Sequence, residues 1–473
     1  MTFLLCYILM FQYWSTPMDL GIPGIVDINP QSCRRQGEHT CLVWEAYING
    51  NWEIFSRFCY GASYTDTIRI SNDVSDDHHP AIAYDQMRNC FWCVWERYLT
   101  DSSEIYISQG LPGSGWQPPQ PVTTDSFYNS RPSVCVINGI IWVVWEKYGL
   151  IYDSVRIGNI CAQYYDGNTW SPVMQLSNDM YLSNVNPKIN NRYGHPFVVW
   201  QKGVYYFDIY YSEYINGNWQ PQQDIAPHPA QDSRPEIAVE PSLLGDAGVW
   251  VAWMTDRISY NQFEIYCTAY DTFTTYYRIT THDSADVNPN PLQAIAITRQ
   301  NLPGIAFATK RHGNYDIYTS EGNDTIFPVD TNTATDINPV MTGGDWYVWV
   351  LWQSDRDGDW DIYGSFIYCG GIEDTKTKNL KQQNQVLTVY PNPFTDALSI
   401  RFKGMRPEER IALQIYDITG KLIRQWNRQA IDKTDIVVWN VQNKSCHKIP
   451  AGIYFIKLDC DDESFIQSVV KIR

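Results

Sequence analysis

The chain repeats one pattern of apolar and polar residues seven times. In each repeat a polar turn containing proline precedes an apolar run that ends in a large aromatic residue, and a polar loop follows. Successive aromatic positions lie 45 to 55 residues apart. A period of this length in short apolar runs is typical of a β-propeller, in which each repeat forms one four-stranded blade. The aromatic positions are Trp44, Trp95, Trp145, Trp200, Trp253, Phe307 and Trp352.

The fourth repeat shows how the pattern divides into strands. Asn186 and Pro187 are predicted to open the innermost strand, because the first residue of a strand need not donate a hydrogen bond to its neighbour. Residues 197–200 and 207–210 predict the second and third strands. The pair at 216–217, Asn-Gly, favours a hairpin turn into the fourth.

The seventh repeat lacks the sequence of a fourth strand. Its third strand is followed by Gly370, Gly371 and a polar stretch. The fourth strands of the second, third and fourth repeats contain a Trp followed closely by Pro, and the same combination occurs at Trp14 and Pro17. We therefore expect residues 11–20 to supply the outer strand of blade seven, which would remove an open sheet edge.

These patterns predict an all-β chain: a seven-bladed β-propeller closed by its N-terminal strand, followed by a small Ig-like β-sandwich. Aromatic residues make up 15% of the chain and favour strands. The apolar run near the start has the length of a signal-peptide core. The expected regions are a possible truncated export signal at 1–10, the propeller at 11–369, a flexible linker at 370–383 and the sandwich at 384–473.

The last 90 residues contain ordered motifs that resemble a known family. Val-Tyr-Pro-Asn-Pro-Phe at 389–394 precedes Ile-Tyr-Asp-Ile-Thr-Gly-Lys at 415–421 and Ala-Gly-Ile-Tyr-Phe-Ile at 451–456. This order is similar to the type A C-terminal sorting domain of the type IX secretion system. The resemblance implies an Ig-like sandwich, the type IX machinery as partner, and secretion or surface display by a Bacteroidota-like bacterium. Its motif residues are Pro391, Asn392, Pro393, Asp417, Gly420, Gly452, Tyr454 and Lys471.

Two segments of the repeats resemble other propeller families. Ser-Asp-Arg-Asp-Gly-Asp-Trp-Asp-Ile-Tyr at 354–363 is similar to the repeat of Tol-system-like propellers. Asp-Gly-Asn-Thr-Trp at 166–170 resembles the Asp-box of sialidase-like propellers, although that box has one residue between Asp and Gly. Both resemblances imply a fold and leave the activity open.

Charge and cysteine usage narrow the classes of partner. The net charge is −17, which makes nucleic acid and anionic lipid poor partners, because phosphate binding needs clustered Lys and Arg. The 12 Cys are scattered without zinc-site spacing, and Cys90 and Cys93 are expected to be strand residues. No stretch is long and apolar enough to span a membrane as a helix.

Candidate binding residues converge on the face that carries the second-to-third strand loops and the connections between repeats. Residues before the inner-strand proline should ring the mouth of the central channel. A second set of Glu and Gln residues follows the aromatic position. Polar residues are also expected there if the strand simply ends in solvent, without a binding role. The first set is Asn29, His79, Arg131, Asn186, Arg234, Asn290 and Asn338, and the second is Glu45, Glu96 and Glu146, with Gln201 and Gln353.

A metal and a catalytic role have weaker support in the sequence. Asp355, Asp357 and Asp359 alternate as oxygen ligands of Ca²⁺ do, but their loop is too short for an EF-hand. An acidic residue before Ile opens most third strands and is expected to accept backbone hydrogen bonds. No catalytic motif is recognisable, so catalytic residues are unknown and no cofactor beyond possible Ca²⁺ is expected.

The sequence therefore predicts a recognition module for an extracellular glycan or protein. His79, Arg131 and Arg234 could together hold a carboxylate or sulfate, since Arg presents a bidentate fork. A sialidase-like glycan-active hydrolase and a surface-layer scaffold without a small ligand are the alternatives.

Overall fold

All elements described by the computed structural model are β-strands. The chain divides into two compact units, Met1–Gly370 and Gly371–Arg473. The proposed export signal, the linker, the Pro391–Pro393 motif and Gly420 lie outside the described residues. The structure describes residues 14–35, 39–60, 63–111, 115–151, 155–239, 249–260, 262–269, 275–281, 286–291, 303–320, 326–343, 347–368, 387–390, 394–395, 397–402, 411–417, 421–427, 436–440, 449–460 and 463–471.

The described part of the first unit contains seven repeats of antiparallel strands, here numbered in chain order. The first strands are Val26–Arg34, Asp77–Asp85, Tyr128–Ile137, Ser183–Arg192, Asp232–Val239, Asp286–Pro291 and Asp336–Gly343. The second strands are His39–Ile48, Cys90–Tyr98, Ile140–Ile151, His195–Gly203, Val249–Ser259, Ile305–Thr309 and Tyr347–Ser354. The third strands are Asn51–Tyr60, Ser103–Leu111, Val155–Tyr165, Phe207–Ile215, Gln262–Ala269, Asp316–Ser320 and Asp361–Tyr368.

The outer strands are short and complete each sheet. Each pairs with the third strand of its repeat, and the first strand of each repeat packs against that of the next. Val26–Arg34 also contacts Asp336–Gly343, so the first and seventh repeats are neighbours. The outer strands are Ser63–Tyr64 with Ile68–Arg69, Gly115–Trp116 with Gln120–Pro121, Met174–Gln175, Asn218–Trp219 with Gln223–Asp224, Tyr277–Arg278, Ile326–Asp330 and, in the seventh repeat, Met18–Asp19.

The outer strand of the seventh repeat comes from the start of the chain. Met18 pairs with Gly364 and Asp19 with Tyr363. The N–H of Leu20 donates to the carbonyl of Ile362 at 2.7 Å. Leu20 is fully buried, and a Cβ added at Gly364 would lie 2.6 Å from its Cδ1, so glycine is needed for this approach. The N-terminal segment thus joins a sheet whose other strands lie more than 300 residues later.

The aromatic positions of the repeat form the core between neighbouring sheets. All seven of these side chains are fully buried. Trp200 packs in a cluster with residues of the third repeat, such as Val144 and Ile160. Its indole N–H donates to Oδ1 of Asn184 at 2.9 Å, and Trp145 donates to Asn129 in the same way at 2.8 Å. The indole therefore supplies apolar area to the core and a hydrogen bond to the start of the first strand.

The position predicted for the prolines was wrong. Pro30 lies inside the first strand, at a bulge, where the pairing shifts between Ile28 and Gln31. The same shift recurs in all seven first strands. A proline has no N–H to give to a ladder, so a bulge accommodates it as well as a strand start does. The strands begin about three residues earlier than predicted.

The second unit contains two antiparallel sheets that share one core. Three strands, Leu387–Tyr390, Leu398–Phe402 and Ile436–Trp439, form the smaller sheet. Buried residues of both sheets, including Ile400, Trp439 and Ile456, form one cluster. The larger sheet contains, in spatial order, Leu422–Asn427, Ile411–Asp417, Gly452–Cys460 and Glu463–Lys471.

Replacing Leu20 with Ala should lower the free energy of unfolding of the first unit by about 3 kcal/mol, because a fully buried side chain leaves a cavity. Urea denaturation of the full chain, followed by Trp fluorescence, measures the change. Thr16→Ala is the matched control, since Thr16 is exposed in the same segment. Equal stability of the two variants would show that the N-terminal segment does not hold the seventh sheet.

Candidate functional site

The first strands enclose a central cavity of about 740 Å³. Its wall includes first-strand residues of the first to fifth repeats and of the seventh. Six of the seven predicted mouth residues line this cavity: Asn29, His79, Arg131, Asn186, Arg234 and Asn338.

Each of these six residues lies at the bulge, directly before its proline. Their φ angles fall between 46° and 53°, the left-handed region that residues other than Gly rarely adopt. A bulge changes the direction of a side chain relative to its neighbours in the strand, and bulges are frequent beside functional sites. The local backbone therefore gives the mouth residues a shared conformation.

Asn290, the seventh predicted mouth residue, is a misassignment by two positions. The pairing in this strand shifts between Val287 and Asn290, so Asn288 and Pro289 occupy the bulge. Asn290 pairs with Ala306 beyond it. The sequence contains Asn-Pro twice in succession here, and only the register distinguishes the two copies.

The Glu and Gln residues after the aromatic position connect one repeat to the next. Oε1 of Glu45 accepts the backbone N–H of His79, in the following repeat, at 2.8 Å. It also accepts from the side chain of Asn29 at 2.9 Å. We call the bond from the mouth-residue N–H to a Glu or Gln of the preceding repeat the clasp. The other clasps join Glu96 to Arg131, Glu146 to Asn186, Gln201 to Arg234 and Gln353 to Asn29.

Burial and hydrogen bonding shift the pKa values of the clasp carboxyls in opposite directions. Burial acts to raise the pKa of Glu96, but bonds from His79, Ser130 and the amide of Arg131 outweigh it and lower the pKa. Burial raises the pKa of Glu146, and the charge of Arg131 offsets this only in part. The folded protein therefore stabilises the ionised form of Glu96 and destabilises the ionised form of Glu146.

Two histidines connect the mouth to these carboxylates. Nδ1 of His78 lies 2.8 Å from Oε2 of Glu45, and Nδ1 of His79 lies 2.9 Å from Oε2 of Glu96. Burial alone would lower the pKa of His78, but the bond to Glu45 outweighs it and raises the pKa. The ring of His79 keeps a second nitrogen with no hydrogen-bond partner among the described residues.

Arg131 and Arg234 add positive charge to the mouth. Nη1 of Arg131 donates to Oδ1 of Asn186 at 2.5 Å. Within the described residues neither Arg forms an ion pair, and the guanidinium of Arg234 has no hydrogen-bond partner. Burial in the cavity wall, followed by the charge of Arg131, lowers the pKa of Arg234. Solvent reaches both side chains, and in the described residues neither forms a close ion pair, although the charge of Glu146 acts on Arg131 and that of Glu236 on Arg234.

Exposed aromatic residues lie on the same face as the mouth. The loop between the second and third strands of the fourth repeat contains Tyr205 and Tyr206, which are 86% and 58% exposed. Tyr260 occupies the corresponding loop of the fifth repeat, and Tyr181 precedes the first strand of the fourth. These loops lie at the bulge end of the strands, beside the repeats that contribute Asn186 and Arg234. The side chains could stack on flat apolar faces of a ligand.

Two of the three residues predicted to bind Ca²⁺ have other partners, and Asp359 lies in the same turn. Oδ1 of Asp355 accepts the N–H of Thr335 at 2.6 Å, and Asp357 accepts a hydrogen bond from the hydroxyl of Tyr363. No three His, Cys, Asp or Glu side chains in the described residues are arranged to hold a metal ion.

The predicted sorting-motif residues that the structure describes all lie in the larger sheet of the second unit. Oδ1 of Asp417 accepts the N–H of Lys421 at 3.1 Å. Gly452 pairs with Lys471, and the buried Tyr454 donates its hydroxyl to the carbonyl of Pro450 at 2.9 Å. These contacts position turns of the sheet.

The first unit has a propeller-like fold, and the second unit matches a known family. Residues 388–472 match the family described as a secretion system C-terminal sorting domain. This domain indicates export by the type IX machinery, with secretion or surface location in Bacteroidota. The described residues contain no helix able to cross a membrane. A comparison with curated proteins finds no match.

The first unit resembles propeller-fold lyases and sialidases among solved structures. A PL25 ulvan lyase bound to -[GlcA(1-4)Rha3S]- is 8% identical, with 75% of this chain and 96% of that chain covered and a TM-score of 0.49. A Dyadobacter fermentans protein of unknown function is 10% identical, with coverages of 74% and 99% and a TM-score of 0.46. A Trypanosoma rangeli sialidase in complex with DANA is 8% identical, with coverages of 97% and 88% and a TM-score of 0.42. Fold likeness does not give an activity.

The two clasp carboxyls predict opposite effects of pH on stability. Ionised Glu96 stabilises the fold above its ordinary pKa of 4.5, and this stabilisation is lost as pH falls through the lower folded pKa. Glu96→Gln should therefore be destabilising at about pH 7, with a difference from the natural protein that narrows toward about pH 3.

Glu146→Gln is the matched control for Glu96→Gln. Ionised Glu146 opposes folding above its ordinary pKa of 4.5, and protonation removes the penalty. Its difference from the natural protein should therefore change with pH in the opposite sense. Thermal unfolding across the pH range measures both, and parallel pH profiles would contradict the assignment.

Proposed function

We propose that the first unit is a closed ring of seven blades that binds an acidic glycan at the central cavity. The contact between the first strands of the first and seventh repeats supports the ring, as does the pairing of Met18–Asp19 with Asp361–Tyr368. In such a ring the seven bulges surround one opening. The ligand then meets side chains from several blades at once, as a small-molecule site needs.

The cationic mouth is the observation that carries this proposal. Almost every other described Arg or Lys of the first unit has a carboxylate or backbone partner, whereas Arg131 and Arg234 form no close ion pair in the described residues. An Arg fork binds a carboxylate or sulfate through two parallel hydrogen bonds. The whole chain has a net charge of −17, so it repels a ligand that is strongly negative along its whole length. Two cations at the opening that lack ion-pair partners therefore favour a ligand whose negative charge is confined to the group they contact.

The exposed tyrosines favour a sugar as the carrier of that charge. Tyr205 and Tyr260 belong to loops of adjacent repeats on the mouth face. The C–H faces of sugar rings pack against aromatic rings, while their anionic groups pair with Arg. A carboxylated or sulfated extracellular polysaccharide has both features, and a secreted or surface-located protein would encounter it.

Arg131→Ala with Arg234→Ala should weaken binding to the best carboxylated or sulfated oligosaccharide on a glycan array by about 100-fold, since each change removes a hydrogen bond to a charged group. The array is probed with the full chain, and calorimetry on the selected glycan gives the affinity. Binding should also weaken as salt is raised.

The matched control is Arg69→Ala with Arg278→Ala, which removes the same charge from outer strands that do not line the cavity. Arg69 is paired with Glu53 and Arg278 with Glu264, each at 2.7 Å. The control should retain affinity. Equal loss in both double variants, or no acidic glycan bound by the natural protein, would refute the proposal.

A glycan-active enzyme is the second candidate, and the pairing of His79 with Glu96 favours it. A carboxylate on one ring nitrogen orients an imidazole, and the other nitrogen is then able to accept a proton from a substrate. Incubation of each bound glycan with the full chain, followed by an assay for new reducing ends, tests this role. His79→Ala should abolish turnover with little change in affinity, and absence of turnover on every bound glycan would exclude it.

A further inference from the structure

In six of the seven repeats a cation balances a carboxylate, which lies in the first strand or, in the third and fourth repeats, in the loop just before it. In the second repeat, Asp77 pairs directly with Arg97 across the two strands, and the Nε–Oδ1 distance is 2.7 Å. The cation follows the aromatic position by two or four residues in every case. The remaining pairs are Lys147 with Asp125, Lys202 with Asp179, Arg257 with Asp232, Arg311 with Asp286 and Arg356 with Asp336.

The first repeat has the carboxylate without the cation. Asp27 pairs with Ala46 at the register position where Asp77 pairs with Arg97. Ile48 follows Ala46 by two residues and occupies the position at which the fifth, sixth and seventh repeats have Arg. In the part of the chain that the structure describes, no Lys or Arg forms an ion pair with Asp27.

A second carboxyl lies beside Asp27. Asp361 begins the third strand of the seventh repeat and is only 6% exposed, and Asp27 is fully buried. Both carboxyls face Gly21: a Cβ there would lie 2.5 Å from Oδ2 of Asp27 and 3.2 Å from Oδ1 of Asp361. Oδ1 of Asp361 has no hydrogen-bond partner in the described residues. Oδ1 of Asp27 also lacks a hydrogen bond of good geometry, although the indole N–H of Trp44 is near enough to act against the rise in the pKa of Asp27.

Charges around the pair are mostly negative. Burial raises the pKa of Asp27 to about 8, and Asp361 and Asp19 add to the effect against the opposing N–H of Ile22. Burial raises the pKa of Asp361 to about 7, with further contributions from Asp19, Asp359 and Asp357. The nearby Arg57 donates to the carbonyl of Gly21 at 3.3 Å and lies over the ring of Tyr64. In the described residues, therefore, no Lys or Arg forms an ion pair with either carboxyl at this seam between the first and seventh repeats.

We propose that this seam binds a hard divalent cation, represented by Ca²⁺, in the place that Lys or Arg takes in the other six repeats. Asp27 and Asp361 each offer an oxygen that lacks a hydrogen bond of good geometry, and oxygens are the atoms that Ca²⁺ prefers. These two side chains are fewer than the three that a metal cluster usually contains. Water completes the coordination shell, together with the exposed carboxylate of Asp19 after its side chain rotates. Ca²⁺ tolerates such irregular shells.

The ion would secure the N-terminal segment. Oδ2 of Asp27 accepts the N–H of Ile22 at 2.5 Å, and the N–H of Asp27 donates to the carbonyl of Trp360 at 2.6 Å. The two carboxyls thus lie between the N-terminal segment, the first repeat and the seventh. A cation shared by them links all three parts, and its removal leaves two buried carboxyls in mutual repulsion.

Calcium titration of the full chain after EDTA treatment tests this proposal. Saturating Ca²⁺ should raise the Tm of the first unit by about 3 °C, because a ligand that binds only the folded state stabilises it. Tb³⁺ should give luminescence sensitised by nearby Trp44 or Trp360, and Ca²⁺ should displace it. Asp361→Asn and Asp27→Asn should each abolish both responses.

Two further variants separate the seam from other acidic sites. Asp336→Asn removes the equivalent carboxyl of a repeat whose cation, Arg356, is present, and should keep the Ca²⁺ response at a lower Tm. Asp355→Asn should also keep it. Ala46→Arg supplies the missing guanidinium, so it should raise the Tm in EDTA and remove the effect of Ca²⁺ on the Tm. If this variant does not fold, Asp27→Asn and Asp361→Asn still test the proposal.

Three results would overturn the proposal. One is a Tm that is the same in Ca²⁺ and EDTA. Another is a Ca²⁺ response that persists in both Asn variants. The third is stabilisation of the EDTA-treated protein by acidification alone, with no effect of Ca²⁺ at about pH 8, which would show that a proton compensates the pair.

Discussion

The backbone N–H of the bulge residue is the constraint on which the arrangement of the first unit depends. At each bulge the pairing skips two residues, so this N–H is turned away from its own sheet. A buried N–H without a partner costs free energy comparable to a lost hydrogen bond. Glu45, Glu96, Glu146, Gln201 and Gln353 each supply the acceptor from the preceding repeat. The local defect of one sheet thereby becomes a link to the next.

The same constraint explains why Glu45, Glu96 and Glu146 are buried. A clasp needs a long side chain with an oxygen acceptor, which Glu and Gln provide and Met254 or Ala308 does not. Carboxylates buried at strand starts need compensation, which comes from Arg and Lys of the same repeats. The net negative charge is therefore compatible with a stable core because most buried charges are paired.

The repeat, its aromatic core and the contribution of the N-terminal segment could be predicted because they depend on residues spaced regularly in one chain. The partner of each clasp could not, since Glu45 and His79 are 34 residues apart and meet only when sheets pack. The prolines were misassigned because a strand start and a bulge tolerate a missing N–H equally. Asn290 was misassigned because two Asn-Pro pairs adjoin. The absence of a cation beside Asp27 can be recognised only from the strand register, which shows that Ala46 occupies the position of Arg97.

The clasp holds the mouth residue through its backbone, so the identity of that side chain is left free. Asn adopts the left-handed conformation readily, and Asn29, Asn186 and Asn338 also use their amides in bonds to the neighbouring Glu or Gln. Arg234 adopts the same backbone at a cost of about 1 kcal/mol and returns no side-chain hydrogen bond to the fold within the described residues. Folding alone would favour Asn at this position. Under the proposed function, an anionic ligand held by Arg234 and Arg131 compensates for this strain.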